Sequence, residues 1–153
     1  MQILRILKAA GGWNHGLSLR IDNAPYLPLC IEVTDESGPC GLPALSVAHY
    51  GGQNGDTMRN PEMMFELRLE GREHLDPFFW RNNYVGVEQW SRFITEGQYV
   101  CRTELYRQQE EFAKQWDMNL RFEGFAHPKE PLCGHSSPLR SPACNASGNE
   151  SAT

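Results

Sequence analysis

A chain of 153 residues has the length of one domain and can bury a hydrophobic core. Its 40 % apolar and 22 % charged residues are those of a water-soluble globular protein, and a net charge of -5 disfavours non-specific binding to nucleic-acid phosphates. No stretch approaches the roughly 18 apolar residues of a membrane span. Arg5 and Lys8 break the apolar start too early for a secretory h-region, so a cytoplasmic protein is expected.

The spacing of Ile3, Leu4, Ile6 and Leu7 predicts a short amphipathic helix over Gln2 to Ala10, ended by Gly11-Gly12, with Trp13 packing back on it. Leu17, Leu19 and Ile21 alternate with Ser18 and Arg20 as a half-buried strand. Asp22 to Pro25 supply turn residues, and Tyr26 to Thr34 completes a hairpin in which Pro28 implies an edge position or a late start. Asp35 to Pro43 reads as a loop. Ala44 to Tyr50 is a third strand, followed by a turn in which Asn54-Gly55 tolerates paired positive φ angles.

Pro61 delays the fourth strand to Glu62 to Leu69. Met63, Phe65, Leu67 and Leu69 share one face of it, and Glu62, Glu66, Arg68 and Glu70 fall on the face expected to meet solvent, with Met64 as the exception. Gly71 to Pro77 reads as polar and exposed. The aromatic run Phe78-Phe79-Trp80 precedes a strand within Tyr84 to Trp90, and Ser91 to Gly97 stays open between a helical turn and a loop.

Thr103 to Leu120 is the strongest helix, with Thr103 as cap, Glu104 at the positive end of the dipole and a stripe of Leu105, Phe112, Trp116 and Leu120. From Pro128 the chain turns to proline, serine and glycine, the composition of a disordered tail. These elements make an α+β class: an N-terminal helix, a mainly antiparallel sheet of four to six strands, and a long helix packed on one face. One domain is expected over 1–127 and a tail over 128–153.

The five cysteines form no C-x-x-C pair and read as reduced, mostly structural thiols. Cys133, His135 and Cys144 match no zinc spacing, and the sequon at Asn145 carries no weight without a secretory signal.

Chemically capable side chains crowd most densely between Ser46 and Glu66, where His49, Asn54, Asp56, Arg59, Glu62 and Glu66 lie. One reading makes His49 a base, lets Asp56 with Glu62 or Glu66 hold a hard cation, and turns Arg59 towards a phosphate, giving a metal-dependent hydrolase or nuclease. Asp56 followed by Glu66-Leu67-Arg68 has the order of such nucleases, although Arg stands in the place of lysine and the neighbourhood is acidic. The simpler reading is a tight turn in which Asn54 and Asp56 bond their own backbone, Arg59 and Glu62 brace the loop and His49 is a satisfied sheet residue. On that reading no catalytic residue, metal ligand or cofactor is assigned. Phe78, Phe79, Trp80, Tyr84 and Trp90 have only Arg81 and Arg92 among them, so core or partner contact is expected of them rather than base stacking.

Ser46 to Tyr50, Gln53 to Asp56, Met58-Arg59 and Pro61 to Met63 resemble the signature of a small uncharacterised bacterial domain family. Arg81 to Val87 is similar to its second motif, usually RNDYLGV, and Trp116-Asp117, Asn119-Leu120 and Gly124-Phe125 resemble its closing motif. The similarity spans most of Met1 to Ala126. Asn60 and Asn83 stand where the motifs have aspartate, which weakens any role resting on those two carboxylates. The resemblance implies an accessory protein of plasmids, integrative conjugative elements and phage-like islands. By analogy with small acidic proteins in that setting, the expectation is a non-enzymatic, anti-CRISPR-like inhibitor that binds a CRISPR surveillance or effector complex. Glu66, Glu70, Glu73 and Asp76 are expected to face the basic residues that hold nucleic acid there. Neither direct nucleic-acid binding nor membrane contact is expected, and an exposed strand edge or the aromatic cluster leaves room for a homodimer.

Overall fold

The computed structural model describes residues 1–69 and 71–127 together with the backbone of 133–134. Helix α1 (Gln2–Ala9) leads into strands β1 (Ser18–Ile21), β2 (Leu29–Val33), β3 (Ala44–Gln53), β4 (Asp56–Arg68), β5 (His74–Asn82) and β6 (Val87–Trp90). A small hairpin, β7 (Arg92–Thr95) and β8 (Gln98–Cys101), then hands the chain to helix α2 (Thr103–Glu123). Strands β1 to β6 pair in sequence order as an antiparallel meander, and a two-residue strand β9 (Cys133–Gly134) extends the β1 edge. The architecture is α+β, with both helices on one face. No helix among the described residues is long and apolar enough to cross a membrane.

Two-residue alternation builds the main core. Leu19 and Ile21, Leu29 and Ile31, Leu45 and Val47, and Met63, Phe65 and Leu67 project from four strands against Ile3, Ile6 and Leu7 of α1 and Ala113, Trp116 and Leu120 of α2. Each fully buried side chain of this kind contributes about 1.5–3 kcal/mol. Gly124, at φ 83, ends α2 in the left-handed conformation, and Phe125 folds back with its N–H on the Leu120 carbonyl at 3.0 Å.

Several boundaries differ from the sequence reading, each for a local reason. The Asn54-Gly55 turn forms as expected, at φ 53 and 85, but the strands run right up to it and β4 starts at Asp56 rather than Glu62. Pro61, which cannot donate to a ladder, lies inside β4 where the β3–β4 register shifts. The stretch Gly71 to Pro77 is not a fully exposed loop, because β5 begins at His74 and Leu75 packs opposite Leu67. Ser91 to Gly97 is neither a helical turn nor a loop. It carries β7 and a two-residue turn at Glu96 and Gly97, φ 50 and 74. The α2 N-cap position is Arg102 and no side chain caps it, so Thr103 does not play that part. Gln109, Ala113, Trp116 and Leu120 form the buried stripe, while Phe112 stays partly exposed.

The largest correction concerns the other face of the sheet. Glu62 and Glu66 do not meet solvent: they are 4 % and 0 % exposed. Cys40 from the loop 34–43 and Arg92 from β7 close over Glu66. Ala44, Phe78 and Phe79, with Met64, form a second small core on this side. Glu70 and the tail expected over 128–153, with its cysteines and histidine, lie outside the described residues apart from the β9 backbone.

Candidate functional site

Glu62 sits in the middle of β4, between Ala48 on β3 and Arg81 on β5. Its Oε1 accepts from the Ser46 hydroxyl at 2.7 Å and lies 3.5 Å from Arg59 Nε. Its Oε2 accepts from Arg81 through Nε at 2.8 Å and through Nη2. Arg81 continues outward to Glu88 on β6 at 3.8 Å, so acid, base and acid line up across three strands. Arg59 also donates to the Tyr50 hydroxyl at 3.2 Å and stacks over its ring. Burial raises the Tyr50 pKa, a rise the Arg59 hydrogen bond only partly offsets, so the phenol stays protonated.

Two of the segments singled out in the sequence interlock here. The Arg59 N–H donates to Asn83 Oδ1 at 2.8 Å, and the Asn83 N–H returns to the Arg59 carbonyl at 3.0 Å. Asn82 Nδ2 donates to Asn60 Oδ1 at 2.7 Å. Asn60 and Asn83 thus serve as acceptors through an oxygen that aspartate would also present. Their work in this fold is to join the β4 bulge to the β5–β6 turn.

Glu66, two positions along the same face from Met64, is held by a second node. Its Oε1 accepts from the Cys40 N–H at 2.6 Å and its Oε2 from Arg92 Nη1 at 2.9 Å. Arg92 is itself 4 % exposed and spends its other nitrogens on the Pro77 and Asp76 carbonyls, at 3.0 and 3.1 Å, above the Tyr106 ring. Asp76 lies just beyond, paired with Arg68 at 2.7 Å. Burial alone would raise the Asp76 pKa, but the Arg68 hydrogen bond and the Arg92 charge hold it below the usual carboxylate range. The Tyr106 hydroxyl pKa is pushed up by burial and by the Asp76 and Glu110 charges.

His49 belongs to the opposite face. Its ring lies under α2, with centroids 5.6 Å from Trp116 and 5.4 Å from Phe125, and only 8 % of the residue is exposed. Nδ1 is 3.0 Å from the Leu27 carbonyl and 3.3 Å from that of Pro28. Carbonyls only accept, so Nδ1 carries the hydrogen and the neutral ring keeps its lone pair on Nε2. Burial lowers the His49 pKa, partly offset by those carbonyl hydrogen bonds and the Glu123 charge. Beside the ring is a cavity of about 250 Å³, walled by His49 and Pro61 from the sheet and by Phe112, Trp116, Asn119 and Glu123 from α2.

The residues singled out from sequence are therefore dispersed. Asn54 and Asp56 are exposed at the hairpin tip, Arg59 and Glu62 share one node, Glu66 lies in another, and His49 is across the sheet. No group of three or more histidine, cysteine, aspartate or glutamate side chains poised for a metal occurs among the described residues. Of the acids assigned to a partner surface, Glu66 is enclosed and Asp76 is largely covered by its arginine, while Glu73 is half-exposed and pairs with Lys8 at 2.9 Å. Sequence reasoning missed Ser46, Arg81 and Arg92 as partners of the two glutamates. Cross-strand register, Glu62 opposite Arg81, is the one signal that would have found the first pair. Burial pushes the Cys30 thiol up to about 11, in keeping with an unreactive structural cysteine.

A family model described as a domain of unknown function, DUF6908, matches residues 1–126, and the chain belongs to that family. No curated protein and no solved structure matches it.

Proposed function

We propose that this member of DUF6908 is a non-enzymatic binding protein that inhibits a nucleic-acid-handling complex of a host defence system, with CRISPR surveillance or effector complexes as the first candidates. The observation that carries this reading is how the two interior glutamates are committed. Both Glu62 oxygens and both Glu66 oxygens already accept hydrogen bonds, and an arginine closes each carboxylate. A metal-dependent hydrolase needs carboxylate lone pairs turned to an open site, and an arginine in that position competes with the cation it would bind. The same pairs are well suited to rigidify a scaffold whose outer surface does the work.

Two further features support the reading. The net charge is -5, with exposed acids at Asp56, Glu96, Glu104 and Glu111 on the hairpin tips and the outer side of α2. The motif resemblance to proteins of mobile elements supplies a setting in which such a surface is useful. An acidic protein of this kind competes with nucleic-acid phosphates for a basic channel, and its charge sets encounter rate and partner choice more than total affinity.

The experiment pairs two assays on the purified 153-residue chain. Added to purified CRISPR surveillance or effector complexes, it should abolish target-DNA binding or cleavage in a stoichiometric, salt-sensitive manner. Incubated alone with nucleic acid and Mg²⁺ or Mn²⁺, it should release no product. Metal-stimulated cleavage that Asp56→Ala removes, with no effect on the complexes, would overturn the proposal in favour of a metal-dependent nuclease.

A further inference from the structure

We propose that the cavity between His49 and the C-terminal half of α2 is a recognition site for a single cationic side chain, the guanidinium of an arginine presented by a protein partner. The inference deepens the function proposed above, on which it rests for the existence of a basic partner.

Four observations converge on a cation. The first is an acceptor: His49 lines the cavity, and with Nδ1 tied to the Leu27 and Pro28 carbonyls just before β2, the neutral ring keeps its lone pair on Nε2. No hydrogen bond engages Nε2 among the described residues, and the atom is not sealed from solvent, so its lone pair is open to a donor that enters the cavity. The second is charge: Glu123 lines the same cavity and takes part in none of the ion pairs among the described residues.

The third is the position on the helix. Asn119 and Glu123 lie towards the C-terminus of α2, the negative end of the helix dipole. The fourth is aromatic. Phe112 and Trp116, with centroids 6.1 Å apart and planes at 52°, form two walls beside the carboxylate. Trp116 is fixed by burial, and Phe112 is 39 % exposed at the rim. A flat guanidinium stacks on such rings while its edge donates hydrogen bonds, which the compact ammonium of lysine does less well.

Size completes the assignment. About 250 Å³ falls just under the roughly 300–1,000 Å³ of ordinary small-molecule sites and accommodates one long side chain. Gln115 Nε2 donates to Asn119 Oδ1 at 3.1 Å, which leaves the Gln115 side-chain amide oxygen as a further acceptor on a residue of the lining.

The test uses the full chain, without any defence complex, titrated with N-acetyl-arginine-N-methylamide, with its neutral citrulline counterpart and with agmatine. The His49 ring and Trp116 indole resonances report occupancy. The expected result is a saturable shift at both rings with the arginine amide, at least about tenfold weaker with citrulline and at least about tenfold weaker in Glu123→Gln. Phe112→Leu, which removes an exposed ring, should weaken binding severalfold and serves as a second variant should Glu123→Gln disturb the fold. Equal binding of citrulline, full binding by both variants, or no shift at either ring up to about 50 mM ligand would overturn the site. Agmatine binding about tenfold more tightly than the arginine amide would assign the cavity to a free small-molecule amine and overturn the partner side chain. A silent cavity beside intact inhibition of a defence complex defeats this site alone. An arginine-selective cavity beside failed inhibition defeats only the choice of partner.

Discussion

Removing Arg92 should cost more than removing the charge of Glu66, although the two form one ion pair. Arg92→Ala leaves Glu66 Oε2 without its donor inside a fully enclosed site and also orphans the Pro77 and Asp76 carbonyls. Breaking a buried pair from one side costs about 3–5 kcal/mol, because the remaining charge is neither solvated nor compensated. For a domain of this size about 1 kcal/mol moves the midpoint by roughly 3–4 °C, so a loss of about 9–20 °C is expected. Glu66→Gln is milder. Its amide oxygen can still accept from the Cys40 N–H, and Arg92 keeps both carbonyls and the Tyr106 face, so about 1–2 kcal/mol is expected.

Urea denaturation of the two single variants and the double variant gives the interaction energy directly. With Glu66 neutralised, much of the penalty of Arg92→Ala should vanish, so the double variant should be clearly more stable than the sum of the singles. A coupling of about 2 kcal/mol is the expected size. Arg92→Ala within about 1 kcal/mol of the wild type, or an additive double variant, would refute the claim that Arg92 compensates a buried carboxylate.

The remaining predictions test other parts of the structure. Gly38→Ala should destabilise by about 2 kcal/mol or more, since a Cβ there overlaps the Glu66 side chain, and the loss should shrink in a Glu66→Ala background, which removes the overlapped atoms; the same urea titrations read both. His49 has a folded pKa below its ordinary 6.5, so its contribution is complete above pH 6.5, where both states are neutral. As pH falls below 6.5 the unfolded histidine protonates first and stability declines until the folded pKa is passed. His49→Gln should abolish that decline, and equal slopes between pH 7 and 5 in the two proteins would refute it. Asn83→Asp should leave thermal stability nearly unchanged because an acceptor oxygen still meets the Arg59 N–H, whereas Asn83→Leu should cost about 1–2 kcal/mol. Asp56→Ala, at an exposed hairpin tip, should change stability by no more than about 0.5 kcal/mol in the same melts.

The parts of the fold legible in the sequence are those where local chemistry and tertiary packing agree. The i, i+3, i+4 spacing of Ile3, Ile6 and Leu7 gave α1, and Asn54-Gly55 marked its turn because few other pairs accept two positive φ angles. The turn between β7 and β8 uses the same backbone geometry with Glu96 in the first position, a residue that gives no such signal, so the hairpin was missed. The second face of the sheet was illegible for a different reason. Met63-Met64-Phe65-Glu66-Leu67-Arg68 alternates as a strand with one wet side would, and nothing local says that Cys40 and Arg92 will cover Glu66. Arg92 stands 26 residues away along the chain, so the burial of Glu66 is a tertiary fact with no local trace.

The candidate site was legible as a cluster and misleading as geometry, and the β4 bulge explains both. Arg59 and Glu62 are three residues apart, which in a regular strand places them on opposite faces. The register shift between Ala48–Glu62 and Tyr50–Arg59 absorbs the extra residue at Asn60-Pro61, and this brings Arg59 Nε to 3.5 Å from Glu62. The same bulge leaves Pro61 lining the cavity beside His49, which the unbroken alternation of β3 has placed under α2. A single irregularity thus sorts one crowded stretch into a braced charge node on one side and a shaped cavity on the other. Residues that look like a single active site in the sequence work on two surfaces separated by the thickness of the sheet.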